Sequence, residues 1–161
     1  MTDRFPAPVA EALRAAGWQP GTRDDERAKT WALSLSAYAV QDGRHHTVVP
    51  AAIEAWAEFG GLSVPARPDG EQIASSSFVL DPFVVRHSVV TLAGLADAIG
   101  VALTPLGEEG DGTGILAVDA HGRVFVCDHG GDWLLGESLD EALTALVLGL
   151  SARRVAEDGT W

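Results

Sequence analysis

The sequence predicts an α+β fold, a single domain in which helices pack against one mixed or antiparallel sheet. Two observations carry this. Apolar residues recur at helical spacing through the first hundred residues, whereas short apolar runs separated by Gly- and Asp-rich turns follow Gly100. The order is then helices, strands, one helix, an antiparallel meander and a closing helix, which argues against a doubly wound α/β arrangement. The 161 residues, 47% of them hydrophobic, suffice for one domain with its own core. They also exclude a disordered tail protein. The expected division is a domain over residues 5–150 and a polar tail over 151–161 that frays.

The first helix is expected from Pro8 to Ala16. Val9, Ala12, Leu13 and Ala16 fall on one face, with prolines before it and Gly17 after it. Trp18-Gln19-Pro20-Gly21 reads as a turn, with Trp18 folded over the helix end. Asp24, Asp25 and Glu26 open a second helix, where acids offset the positive end of the dipole. Its buried stripe is Ala28, Trp31, Leu35 and Tyr38. A third helix runs from Pro50 to Phe59, with Ile53, Trp56 and Ala57 inward and Gly60-Gly61 as its stop.

Leu62 to Val64 and Ser77 to Leu80 read as strands, separated by an exposed loop over 66–75 and closed by Asp81-Pro82. A fourth helix covers Val89 to Ile99, with Leu92, Leu95, Ala96 and Ile99 inward and Gly100 as its cap. Val101 to Leu106 is a short strand with Pro105 at an edge or end, and Gly107 to Gly114 is a loop. Ile115–Val118 and Arg123–Cys127 flank a turn in which Gly122 needs a positive φ. After the turn Asp128–Asp132 comes a strand over Trp133–Leu135. Ser138-Leu139-Asp140-Glu141 is a capping box that starts a last helix, whose inner face is Leu139, Leu143, Leu146 and Val147.

The net charge is −12, and it is unevenly placed. Residues 1–68 hold eight acids and seven bases; residues 69–161 hold fifteen acids and four bases. Within 97–141, ten acids face one base, Arg123. Such a field repels a polyanion, so direct nucleic-acid binding is not expected. It speeds encounter with a basic partner. A compositional bias offers a plainer account, since there is one lysine and no asparagine while Ala, Gly, Val and Arg abound. No uninterrupted apolar run of about 18 residues is present, so no membrane span is expected. The first residues lack an apolar signal region. The lone Cys127 excludes an internal disulfide framework and fits a reducing cytoplasm.

No motif points to chemistry. Gly110-Asp111-Gly112-Thr113-Gly114 has no lysine and is flanked by Glu108 and Glu109, which would repel a phosphate. Those carboxylates lack the twelve-residue calcium-loop spacing, and a solvated acidic loop is the plain reading. Cys127 near His121 and His129 sits among acids, a setting that disfavours a thiolate nucleophile; it reads as a strand residue. His45 and His46 are adjacent, so on a helix they diverge by about 100°, and no zinc spacing is present. Neither a cofactor nor a metal is expected. Trp31 and Trp56 read as core and Trp161 as part of a loose tail. Trp133, beside an acidic turn, reads as core or as an interface anchor.

Several stretches together resemble the SUKH superfamily, in its subgroup three. They are Ala16-Gly17-Trp18-Gln19-Pro20-Gly21, then Ala55-Trp56-Ala57-Glu58-Phe59-Gly60-Gly61-Leu62, then Leu80-Asp81-Pro82. Leu103-Thr104-Pro105-Leu106-Gly107-Glu108 and the run from Leu116 to Phe125 complete them. The likeness covers roughly residues 5–150. Thr22 stands where the pattern has an arginine directly after Pro-Gly, and the loop Ala66–Ser75 is divergent. The resemblance implies a sheet with helices packed on it. It also implies an immunity protein that binds a cognate polymorphic bacterial toxin, often a nuclease or a nucleic-acid deaminase. Its shared motifs are structural and do not locate a binding face.

The charge reading supplies a face. A toxin acting on nucleic acid needs a basic cleft, and an acidic inhibitor can fill it. Glu108, Glu109, Asp111, Asp128, Asp132 and Trp133 are the expected partner-binding residues. The competing readings are a regulatory or scaffold module of the same fold that binds an endogenous protein, and an enzyme using acidic residues.

Overall fold

The computed structural model describes residues 3–161. Its sheet has seven strands in sequence order, every neighbouring pair antiparallel: β1 (Ser63–Val64), β2 (Phe78–Val79), β3 (Leu103–Glu109), β4 (Gly114–Asp119), β5 (Val124–Asp128), β6 (Gly131–Gly136) and β7 (Arg153–Val155). The helices are α1 (Ala7–Ala15), α2 (Asp25–Ala37), α3 (Pro50–Phe59), α4 (Val89–Ile99) and α5 (Leu139–Leu148). The α+β expectation is met, with a purely antiparallel sheet.

Strand alternation sends apolar residues to both faces of the sheet, so both faces are covered. One face carries Leu106, Leu116, Val118, Val124 and Val126, under α1, α2, α3 and α5. The other carries Leu103, Ala117, Phe125, Cys127, Leu134 and Val155, under Leu92 and Leu95 of α4. Trp56 and Phe59 anchor the larger core, where Trp18 stacks on Phe59 with centroids 5.8 Å apart. Trp31 is only partly buried, set edge-on against Trp56 and Phe83. Ile53 is likewise partly buried; Ala52, Ala55 and Phe59 take the inner face of α3 along with Trp56 and Ala57.

The helix ends follow the sequence signals. The Asp24 side chain accepts from the Arg27 N–H at 2.9 Å. Gly100 caps α4 in the left-handed region. The Ser138 hydroxyl accepts from the Glu141 N–H, but the Glu141 carboxylate reaches the N–H of Glu137 rather than that of Ser138. The reciprocal bond is therefore displaced by one residue. An additional 3-10 stretch, Pro82–Ser88, runs directly into α4. Pro82–Ile99 is long and apolar enough by composition to cross a membrane, yet it is broken by non-helical backbone at Val85 and packs Leu92 and Leu95 on the sheet.

Further expectations are corrected. The turn expected over Asp128–Asp132 narrows to residues 129–130, because Asp128 ends β5 and Gly131 and Asp132 open β6. The strand expected over 101–106 starts at Leu103 and continues to Glu109, so Gly107–Glu109 belong to β3 and Gly114 to β4; only residues 110–113 turn. The glycines and acids read as loop by composition; in the sheet a bulge between Pro105 and Gly107 shifts the register and the pairing with β4 resumes at Gly107. Pro105 is tolerated because β2 pairs only with Glu108 and Glu109, leaving β3 unpaired on that side at Pro105. The tail does not fray: Arg153–Val155 pairs with Asp132–Leu134 as β7. Trp161 is not loose either. Its ring meets Phe125 edge-on at 5.9 Å and lies 4.8 Å from the Arg123 guanidinium carbon.

Candidate functional site

The β3–β4 and β5–β6 connections lie at one end of the meander and the β4–β5 turn at the other, because successive antiparallel strands reverse direction. Glu108, Glu109, Asp111, Asp128, Asp132 and Trp133 therefore gather at one end. They do not form one flat patch. Residues opposite each other in an antiparallel pair share a face. Glu108 pairs with Ile115, Ile115 with Cys127 and Cys127 with Asp132, so Glu108 and Asp132 lie on the α4 face. Glu109 pairs with Gly114 and Trp133 with Val126, which places them, with Asp128, on the α5 face.

Asp111 occupies the tip of the β3–β4 turn with φ +55°, a left-handed conformation that aspartate tolerates better than most residues. Its carboxylate accepts from the Ser77 hydroxyl at 3.4 Å. The Asp128 Oδ1 atom accepts from the Gly130 N–H at 2.8 Å and from the indole Nε1–H of Trp133 at 3.3 Å. Trp133 is half-buried. Its ring lies 5.2 Å from the guanidinium carbon of Arg154, its partner on β7. The sequence reads that arginine as part of a polar tail, and no local pattern places it here.

Between α5, the loop before β2 and strands β3, β5 and β6 lies a cavity of about 400 Å³ that takes in Glu109, Asp128 and Trp133. Its walls include Leu135, Leu146 and Leu150, and Ile73 stands exposed at its rim. The loop 66–75 is exposed, as expected, but it is tied down. The Glu71 N–H donates to the Leu148 carbonyl at 2.7 Å and the Gln72 N–H to that of Gly149 at 2.9 Å. Gly149, at φ +71°, leaves room for this, because a Cβ there would stand 2.3 Å from the Ile73 carbonyl oxygen. A larger cavity, about 490 Å³, lies beside α4 and is lined by His45, His46 and Asp97. His46 is buried there with its Nε2 2.7 Å from the Arg86 carbonyl oxygen, and burial lowers its pKa.

The remaining acids of the 97–141 block are elsewhere. Asp119 is fully buried at the opposite turn, where it binds Arg123. Asp140, at the start of α5, is held by Arg4, which also pairs with Glu58. The sequence block therefore does not become one continuous acidic face. Cys127 is buried on the α4 face. Burial first, and the Asp132 carboxylate across the strand pair second, push its thiol well above the usual cysteine range. A disulfide-exchange reagent at pH 8 is expected to leave Cys127 unlabelled in the native protein and to label it fully in urea. Prompt labelling of the folded protein would contradict its burial. No group of three or more His, Cys, Asp or Glu suited to a metal occurs among the described residues.

Fold and site together define an antiparallel α+β meander domain whose candidate site is built of carboxylates, one indole and aliphatic walls. The chain belongs to the SUKH-3 immunity protein family, whose sequence model matches residues 5–149. No curated protein and no solved structure matches it significantly.

Proposed function

We propose that this chain neutralises a cognate toxin domain that acts on nucleic acid, by setting the acidic end of its sheet into the toxin's basic cleft. Membership of the immunity family supports the protective role. The observation behind the choice of face is the gathering of Glu108, Glu109, Asp111, Asp128, Asp132 and Trp133 at one end by two hairpin connections. Carboxylates at the rim set the association rate; those desolvated against toxin Arg or Lys set dissociation.

The test is co-expression with the toxin domain encoded beside this chain, scored for growth rescue and co-purification. Replacing Glu108, Glu109 and Asp111 together by Lys is expected to slow association about tenfold or more at low salt and to flatten its salt dependence. Unchanged affinity in a titration would remove the β3–β4 turn from the interface. A complex seated on α1–α3 would overturn the electrostatic account.

A further inference from the structure

We propose that the cavity beneath Ile73 is a socket for one arginine side chain of the partner. This rests on the reading above that the acidic end of the sheet meets a protein.

The socket joins apolar walls to two carboxylates. Leu135, Leu146 and Leu150 supply the walls, while Glu109 and Asp128 supply the charge. Gly114 lets the Glu109 carboxylate lie close over β4: a Cβ there would stand 2.8 Å from both the Glu109 Oε2 and the Val126 Cγ2 atoms and would displace it. Among the described residues, neither Glu109 nor Asp128 forms a salt bridge, whereas Arg4, Arg23, Arg44 and Arg123 all have carboxylate partners. Asp128 is held in place by the Gly130 N–H and the Trp133 indole.

An occupant must match both parts. A purely aliphatic side chain would strip water from the two carboxylates without replacing it. A phosphate or carboxylate would be repelled. Lysine brings a compact, strongly hydrated charge. Arginine buries its methylene stem, presents a planar fork to carboxylates and stacks on aromatic faces. The Trp133 ring is taken by the chain's own Arg154 at 5.2 Å, so selectivity for a partner arginine comes from the fork on Glu109 and Asp128 and from the stem on the aliphatic walls. The rim is preformed, since the loop carrying Ile73 is bonded to the end of α5, so little ordering is lost on binding.

The test titrates isotope-labelled protein with Nα-acetyl-arginine amide, following the Trp133 indole N–H resonance. The uncharged citrulline counterpart and the lysine counterpart serve as controls. The arginine probe is expected to give a saturable shift, the lysine probe one at least threefold weaker, and citrulline none. Glu109→Gln should weaken the arginine probe at least threefold. Ala152→Trp, which fills the cavity from its wall, should abolish the shift, with urea denaturation confirming that both variants fold. No saturable shift with arginine, an equal shift with citrulline, or full binding by Glu109→Gln would each overturn the socket. Growth rescue by the same proteins separates the two proposals. If Glu109→Gln and Ala152→Trp protect as well as the parent, the socket falls and the immunity reading stands. If the parent binds the arginine probe yet gives no protection, the immunity reading falls and the socket stands.

Discussion

Asp119→Ala is expected to lower the unfolding free energy by about 3 kcal/mol, the low end of the loss for removing one member of a buried ion pair. Asp119 is fully buried. Its Oδ1 accepts from the His121 and Arg123 N–H groups at 2.9 and 3.0 Å, and its Oδ2 accepts from the Arg123 Nε–H at 2.7 Å. One carboxylate thus shapes the β4–β5 turn and neutralises the cation beside it. Alanine leaves two turn N–H groups without their acceptor and Arg123 without its partner. The loss stays near the low end because the Arg123 side chain remains partly exposed and keeps its contact with Trp161. In a domain of this size the loss corresponds to a fall in Tm of roughly 6–12 °C. Asp119→Asn retains an acceptor for the turn and loses only the charge, so about half the effect is expected. Urea denaturation with an unchanged slope is the measurement. Equal stability of the alanine variant and the parent would show that the turn is held by other contacts.

Gly107→Ala is expected to cost a comparable amount, on the order of 3 kcal/mol, through overpacking against backbone. A Cβ at Gly107 would stand 1.8 Å from the Val79 carbonyl oxygen and 3.0 Å from the Asp81 N atom. These are main-chain atoms of β2 and its exit, and no side chain can turn aside to relieve the clash. The two-residue strand β2 must then separate from β3, taking with it the pairing of Phe78 to Glu109. Hydrogen exchange should report early loss of protection at β1 and β2 while β4 and β5 keep theirs. Uniform behaviour of both regions would show that β2 follows a single unit with the meander.

Much of the fold is legible in the sequence because it rests on local rules. The Pro50–Phe59 and Val89–Ile99 helices carry apolar residues at helical spacing between recognisable start and stop residues, and the structure places both at those bounds. Gly122 has the positive φ, +86°, that its turn demands. The two acidic chain reversals are legible in the sequence, and the alternating direction of antiparallel strands brings them to one end. Local rules fail where a partner strand decides. Gly107–Glu109 look like loop by composition and become strand because β2 and β4 take up their hydrogen bonds. Arg153–Val155 looks like a polar tail and becomes β7 because β6 offers an open edge.

The candidate site divides in the same way. The residue types and charges of Glu108, Glu109, Asp111, Asp128, Asp132 and Trp133, and their nearness to two chain reversals, belong to the sequence; that Glu108, Glu109, Asp128 and Asp132 are strand residues does not. Their separation onto two faces, the approach of Arg154 to Trp133, and the cavity walled on one side by Ile73 and Ala74 are products of register and of packing against α5. Asp119 and Asp140 make the point most directly. In the sequence they are two more acids in a charged block; in the structure one is buried against Arg123 and the other is clamped by Arg4, 136 residues away. Charge is counted along the chain, but whether a charge is free to meet a partner depends on distance and solvent, which the folded structure alone sets.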